Sequence, residues 1–208
     1  MQIKKDSFSM NSRCDQVIHC RDESDEQHCS LLVLKDGYNK KVAPFTVDLT
    51  LEEIIPVKIK ISTTLRNVIE ISEVNHIIEL KYAISLNWYE NRVVYQNLKK
   101  KEALNMMSDQ ELSSLWIPFI IFENTDNDEA VSIDSVRSDI SVSREGSFKR
   151  SGSDYVDEIE FFEGKDNKIT MNQTHSKKFH CTYLLHYFPF DTQVMVIIFD
   201  GYTLLFYS

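Results

Sequence analysis

The strongest constraint in the sequence is an alternation of apolar and polar residues from residue 78 to residue 88. Six apolar side chains take every second position: Ile78, Leu80, Tyr82, Ile84, Leu86 and Trp88. A period of two is typical of a β-strand with one buried face, whereas a helix repeats every 3.6 residues. Val57, Ile59 and Ile61 alternate in the same way. We therefore expect two strands that pair through a turn near residues 72–75.

Short apolar stretches predict most of the remaining structure as strands. They lie at residues 116–122 (interrupted by Pro118), 140–143, 159–162, 168–171, 179–187 and 193–199. Residues 30–36 predict a short helix instead, since Ser30 is a suitable N-cap and Gly37 a suitable residue after its end. Residues 98–112 are charged and predict a helix or a loop. Many short strands with little amphipathic helix indicate an all-β protein, an immunoglobulin-like β-sandwich of about ten strands.

Composition excludes several classes of function. The chain has 208 residues and a net charge of −9, from 23 basic and 32 acidic side chains, which disfavours nucleic acids and anionic membrane surfaces. No apolar run reaches the ~18 residues that a transmembrane helix needs. The sequence also lacks a glycine-rich phosphate loop, a nucleophile elbow and a histidine pair with metal spacing. We therefore expect a protein that is not an enzyme.

Residues 1–29 form a polar segment with clustered cysteines, separate from the apolar pattern of residues 30–208. Cys14, Cys20 and Cys29 lie close together, which indicates an oxidising compartment or a metal site. The first eleven residues, however, have no apolar signal-peptide region. One interpretation reconciles the two observations: the chain is a fragment, or an incomplete gene model, of a longer secreted or membrane protein.

The cysteine segment carries several carboxylates: Asp15, Asp22, Asp25 and Glu26. Crowded oxygen ligands of this kind suit Ca²⁺. Two alternatives stay open: an acidic solvated loop, or a zinc site made from the cysteines and a histidine, although the spacing lacks a Cys-x-x-Cys knuckle.

The same segment resembles the C-terminal half of an LDL-receptor class A module, whose signature ends in Cys-x-Asp-x-Ser-Asp-Glu-x-x-Cys. The resemblance implies that Asp15, Asp25 and Glu26 are calcium ligands. It also implies a disulfide between Cys14 and Cys29, which leaves Cys20 without its partner. His19 replaces one acidic ligand, and the first three cysteines of the module are missing. We therefore expect weak Ca²⁺ binding, toward the ~10⁻⁴–10⁻³ M range of extracellular modules.

A second motif lies near the end of the chain, where Phe188-Pro189-Phe190-Asp191 begins seven residues after Cys181. By its residues alone it is a turn between strands, with packed aromatic rings and an aspartate that accepts backbone hydrogen bonds. The stretch resembles the signature loop of the Cys-loop, or pentameric ligand-gated ion channel, family. In that family a second cysteine follows the first by fourteen residues, and that position is Met195 here. The loop-closing disulfide therefore cannot form, and we expect Cys181 to be a free thiol.

Other motifs of the same family follow in order. Trp88-Tyr-Glu90-Asn-Arg92 resembles its Trp-x-Asp-x-Arg motif, with glutamate in place of aspartate. Residues 115–118 (Leu-Trp-Ile-Pro) followed by Asn124 resemble its Leu-Trp-x-Pro-Asp…Asn segment. Residues 31–44 resemble its first helix and the Tyr-Asn-x-x-x-x-Pro segment after it. The resemblance runs from about Leu31 to Tyr202.

The resemblance implies the extracellular ligand-binding region of a channel subunit, without the transmembrane region. Such a subunit would assemble with homologous subunits into a homo- or hetero-pentamer at the plasma membrane. It would bind a small neurotransmitter-like ligand between subunits and press residues 188–191 against the pore domain. Two alternatives are a soluble secreted pentameric ligand-binding protein and a calcium-dependent adhesion or scaffold module.

In this family the ligand lies in a box of aromatic side chains, where a cationic amine gains cation–π attraction. The first box position is Glu123, beside Phe122. The facing strand supplies Ala83, beside Tyr82, and the third position is Tyr202. Because only one ring falls directly on a box position, a site for a ligand other than an amine is an open alternative. We expect Trp88 and Trp116 to be core residues. Asn172-Gln-Thr174 is a glycosylation sequon.

Overall fold

The structure is a computed structural model. It describes residues 14, 17–23, 26, 29–48, 53–122, 124–125, 138–151, 159–183, 194–199 and 202–207. For residues 194–199 and 202–207 the description covers the backbone. The fold is an all-β sandwich of antiparallel sheets with few helices, as the strand patterns predicted.

Twelve strands and one short α-helix make up the described chain. The strands are β1 (Leu32–Leu34), β2 (Phe45–Asp48), β3 (Glu53–Pro56), β4 (Lys60–Ser72), β5 (Ile77–Tyr89), β6 (Val93–Gln96), β7 (Ser138–Val142), β8 (Phe148–Ser151), β9 (Ile159–Glu163), β10 (Lys168–His180), β11 (Val194–Phe199) and β12 (Tyr202–Tyr207), and the helix is α1 (Asp109–Ser114). Turns of 3-10 helix lie at Glu102–Leu104 and Gly164–Asp166. The sheet orders are β1-β6-β9-β8, β4-β5-β10-β7, β11-β12 and β2-β3.

The predicted pairing is confirmed by β4 and β5, which are neighbours in one sheet, although β4 begins at Lys60 and Val57 and Ile59 therefore precede it. The turn between them spans residues 73–76, and the Asn75 amide donates to Ser72 Oγ at 3.3 Å. Along β5 the six alternating apolar side chains are all buried, from Ile78 to Trp88. The residues between them are more exposed, so the period of two separates a core face from an outer face.

The helix predicted at residues 30–36 is wrong, because this segment forms β1. Leu32–Leu34 pairs with Val93–Tyr95, and the amides of Leu31 and Leu32 both donate to Glu111 Oε1. An isolated helix of seven residues is marginal in water, so these long-range bonds decide the conformation. The α-helix of the described residues is α1. It lies at the end of the charged stretch 98–112, and Ser108 and Glu111 form a capping box at its start.

Two further strand predictions differ from the structure. Residues 116–121 form no strand, and Phe122 makes only an isolated bridge. Pro118 has no backbone N–H to donate to a ladder, which explains this irregular course. The strand predicted at 168–171 is confirmed and continues to His180 as β10, which includes the first two residues of the strand predicted at 179–187. Residues 181–183 are not in a strand, and residues 184–187 lie outside the described residues. The strands predicted at 140–143, 159–162 and 193–199 are confirmed with shifted ends as β7, β9 and β11.

The chain divides into two compact units, each with its own apolar core. The first unit contains residues 1–58, 87–116 and 140–170, and the second contains residues 59–86, 117–139 and 171–208. Large side chains buried in the first unit include Trp88, Tyr95, Leu98 and Phe162. Those of the second unit include Leu80, Tyr82, Phe122, Met171 and Phe179.

Candidate functional site

The Trp-x-Glu-x-Arg motif forms a buried ion pair in the first unit. Glu90 is fully buried, and its two carboxylate oxygens accept from Arg92 Nε at 2.8 Å and from a terminal guanidinium nitrogen at 2.7 Å. The other terminal nitrogen donates to the Val42 carbonyl at 2.8 Å. The hydrogen bonds that Arg92 donates to Glu90 raise the pKa of Arg92. This fork-shaped, charge-assisted pairing is among the strongest polar contacts in proteins.

The same cluster joins two other motif segments. The Arg92 guanidinium lies 4.8 Å from the centre of the Tyr38 ring, and Tyr38 Oη accepts from the Trp116 amide at 2.7 Å. Burial raises the pKa of Tyr38. Trp88 is fully buried and packs edge-on against Trp116, with ring centres 6.3 Å apart. These residues hold the unit together, and the prediction that Trp88 is a core residue is confirmed.

An aromatic cluster fills the core of the second unit. Tyr82 packs against Phe122, Phe179 and His175, with ring centres 5.9, 5.8 and 5.4 Å apart. Lys177 Nζ lies 5.3 Å from the centre of the Phe122 ring. Tyr82 is 4% exposed and Phe122 is 2% exposed. Two of the residues predicted to contact a ligand are therefore packed inside this unit.

His175 gives the second unit a pH dependence. Burial, together with the nearby charge of Lys177, lowers the pKa of His175 to about 4. In the unfolded chain its pKa is ~6.5. The unfolded state therefore takes up the proton first as pH falls, and the stability that is present above about pH 6.5 declines towards pH 4.

We expect this one group to reduce the free energy of unfolding by about 2 kcal/mol between pH 7 and pH 5. Urea unfolding at both pH values measures the change, and His175→Gln should remove most of it. A matched substitution at exposed His180 should leave the change as it is in the wild type. An equal pH dependence in wild type and His175→Gln would contradict the assignment.

The outer face of β5 lines a polar pocket of about 400 Å³. This outer-face pocket is lined by Ser62, Thr64 and Arg66 of β4, Ala83, Ile84 and Ser85 of β5, Asp139 of β7, and Asn172, Gln173 and Thr174 of β10. Ala83 is the position that the resemblance assigns to the facing strand of the ligand box. Its neighbour Tyr82 points to the core, because successive side chains of a strand point to opposite faces.

The outer-face pocket contains two charged side chains that have no counter-ion within the described residues. Neither Arg66 nor Asp139 forms an ion pair or a side-chain hydrogen bond in this part of the chain. The rest of the lining is mostly hydroxyl and amide groups. Such a surface can accept a ligand carboxylate at the guanidinium and a ligand ammonium at the aspartate.

Sequence reasoning did not single out Arg66 or Asp139. Ser62, Thr64 and Arg66 share one face of β4, which continues the period of two seen earlier in that strand. This alternation was a usable signal for Arg66. Asp139 had no such signal, because its place beside the other residues depends on the sheet order β4-β5-β10-β7.

A second pocket, of about 280 Å³, lies in the first unit beside the β2–β3 hairpin. It is more apolar and is lined by residues that include Phe45, Ile55, Pro56, Tyr89 and Asn91. Tyr82 and Phe122, the predicted ligand-binding residues whose side chains are described, line neither pocket, but the box position Ala83 lines the outer-face pocket and not this one. We therefore take the outer-face pocket as the candidate functional site.

Several predicted residues lie outside the described part of the chain: Asp15, Asp25, Glu123 and the loop Phe188, Pro189, Phe190 and Asp191. Tyr202 begins β12, and its backbone pairs with Phe199. Of the box positions that the resemblance implies, only the one on β5, Ala83, has a described side chain.

Cysteines 14 and 29 form a disulfide, the pairing that the LDL-receptor class A resemblance implied, with Cα atoms 5.6 Å apart. Glu26 lies between them in sequence, and its amide donates to the Glu23 carbonyl at 3.1 Å. Among the described residues no group of three metal-ligating side chains is present. The calcium set itself rests on Asp15 and Asp25, which lie outside the description.

Cys181 is a free thiol, as predicted from the methionine at position 195, where the family has the second cysteine. Its amide donates to the His76 carbonyl at 2.8 Å, and burial raises the pKa of its thiol. Met195 lies in β11, where its backbone pairs with Phe206.

These features define an all-β sandwich with a polar pocket on one sheet. The model of the family described as the neurotransmitter-gated ion-channel ligand-binding domain matches residues 26–204. The chain therefore belongs to this family. A comparison with curated proteins found no match. In the part of the chain that the structure describes, no helix is both long and apolar enough to cross a membrane.

Proposed function

We propose that this chain is the extracellular ligand-binding region of a channel subunit and that its outer-face pocket binds a small zwitterionic ligand at the contact with a homologous subunit. The observation that carries the proposal is the position of Ala83. The resemblance assigns it to the ligand box, and it lies in one pocket with Arg66 and Asp139, which have no counter-ion within the described residues.

The chemistry of the pocket favours a zwitterion over a simple amine. At the box position of β5 this chain has a methyl group, so no ring is available there for cation–π attraction. Tyr82 and Phe122 are buried, so their rings stabilise the core. Arg66 instead offers a planar, permanently charged donor for a carboxylate, and Asp139 offers an acceptor for an ammonium group.

The pocket also fits a place between subunits. It is formed by one face of one sheet, so a second protein surface would have to cover a bound ligand. The strand β4, which lines the pocket at an edge of the sheet, also exposes apolar side chains: Val68 on the pocket face, at 39%, and Leu65, Ile69 and Ile71 on the opposite face, at 40%, 48% and 57% of their area. Exposed apolar side chains concentrated in one strand are typical of a protein–protein contact. We propose a homologous subunit as the partner, in a homo- or hetero-pentamer.

A thermal-shift panel tests the ligand class. We expect zwitterionic amino acids to raise the melting temperature of the wild type, and simple amines or carboxylic acids alone to raise it less. Arg66→Gln should reduce the shift given by a zwitterion to that given by a simple amine. Lys60→Gln should retain the full shift, since Lys60 is an exposed cation of the same strand that does not line the pocket. Equal stabilisation of the wild type by zwitterions and by simple amines would contradict the proposal.

We also propose that the N-terminal segment is a partial LDL-receptor class A module that binds Ca²⁺ weakly. The Cys14–Cys29 disulfide supports this, because it closes the segment that carries the acidic residues. Calorimetric titration with Ca²⁺ should give a dissociation constant of ~10⁻⁴–10⁻³ M, the range of extracellular modules. Tight binding, or none after oxidative refolding, would contradict it.

Coupling and location complete the proposal. Membership of the family supports an extracellular position at the plasma membrane. Residues 188–191 would then be the segment that transmits ligand binding to a pore domain.

A further inference from the structure

We propose that Asn172 is an N-glycan acceptor and that a glycan on it occupies the outer-face pocket. The inference does not depend on the identity of any ligand. It follows from where the structure places the sequon Asn172-Gln173-Thr174 relative to the rest of the pocket.

The sequon lies in β10 with its two functional side chains on the outer face. Asn172 and Thr174 are both exposed, and Gln173 between them is 6% exposed and donates to Ser138 Oγ at 2.9 Å. Residues two apart share one face of a strand, so the acceptor amide and the sequon hydroxyl point the same way. Within the described residues the Asn172 amide makes no hydrogen bond, so modification would break no contact there.

The chemistry requires a sugar donor of the lipid-linked diphospho-oligosaccharide class. Asn172 Nδ2 bonds to C1 of the first sugar, the bond between C1 and the diphosphate oxygen breaks, and one amide proton is lost to a base. No oxidation or reduction is involved. The product carries a large polar chain on the nitrogen of a residue that lines the pocket.

Occupation of the pocket follows from the lining. Asn172 and Ser85 are both part of it, and its hydroxyl groups and charges suit hydrogen bonds with a sugar. The volume of about 400 Å³ is within the usual range of small-molecule sites. A glycosylated chain would therefore have its outer-face pocket closed to the ligand and to the second subunit, so the proposed ligand binding belongs to the chain without the glycan.

The modification is tested on the full chain, secreted from eukaryotic cells behind a cleavable signal sequence. Intact mass before and after a peptide-N-glycosidase should show one glycan on the wild type and on Thr174→Ser, which keeps the sequon. Thr174→Ala and Asn172→Gln should both lack it. Peptide mass spectrometry that finds Asn172 unmodified in the secreted wild type would overturn the proposal.

Occupation of the pocket is tested separately by cysteine labelling. In Ser85→Cys, maleimide should react several-fold faster after enzymatic removal of the glycan than before. Lys60→Cys lies on the same strand face as the pocket residues of β4 but outside the lining, and its rate should stay constant. Labelling of the wild type measures the reaction of Cys20 and Cys181, which is subtracted from the rates of both variants. Equal rates at position 85 before and after glycan removal would overturn the occupation of the pocket, whatever ligand the protein binds.

Discussion

Replacing Glu90 with alanine is expected to reduce the free energy of unfolding by about 3–5 kcal/mol, the usual cost of removing one partner of a buried ion pair. The carboxylate is fully enclosed, while the Arg92 side chain is 20% exposed. The substitution would leave the guanidinium without its two strongest acceptors, in a position where water reaches it poorly. Urea unfolding at neutral pH measures the loss.

A surface ion pair provides the matched control. Glu145 forms an ion pair with Lys168 at 2.9 Å, and its side chain is 40% exposed. Glu145→Ala should cost no more than about 1 kcal/mol, because exposed pairs contribute little. If both substitutions reduce the free energy of unfolding by the same amount, the buried Glu90–Arg92 pair stabilises the first unit no more than a surface ion pair does.

Replacing Met195 with cysteine is expected to restore the loop-closing disulfide of the family and to raise the melting temperature. Closing a loop of about fifteen residues is worth roughly 3 kcal/mol in the chain-entropy model. The expectation rests on membership of the family and on Cys181, which is a free thiol. Thermal unfolding under oxidising and reducing conditions measures the gain.

Two controls separate the bond from the substitution. Met195→Ser introduces a side chain that is similar in size to cysteine but cannot form a disulfide. It should not raise the melting temperature. In Cys181→Ser combined with Met195→Cys, oxidation should have no stabilising effect. If the thiols of Met195→Cys stay reduced under mild oxidation, or the bond forms and destabilises the fold, the two positions are not paired as in the family.

The hairpin of β4 and β5 was predictable because its signal is local and repeated: each apolar residue from Ile78 to Trp88 independently indicates the same face. The strand β1 was not, because Ser30 and Gly37 give local helix signals, whereas its hydrogen bonds to Glu111 and Val93–Tyr95 are distant in sequence. A local helix preference does not decide the conformation of a short segment when pairing with distant residues supplies more hydrogen bonds.

The candidate site shows the same limit. The resemblance located Ala83 but also drew attention to Tyr82, and a shift of one residue in a strand exchanges the core face for the outer face. The alternation itself already placed Tyr82 on the apolar face. That Arg66 and Asp139 share a pocket depends on the order of four strands, which no local pattern specifies.

The central claim is that Arg66 of the outer-face pocket receives the carboxylate of a zwitterionic ligand. A double-mutant cycle by calorimetry tests it most directly, with wild type and Arg66→Gln each titrated with a zwitterion found in the panel and with its decarboxylated amine. If the claim holds, removing the carboxylate weakens binding to the wild type by about 1.5–3 kcal/mol, the value of a charged hydrogen bond, and has almost no effect in Arg66→Gln. Equal losses in both proteins would contradict it.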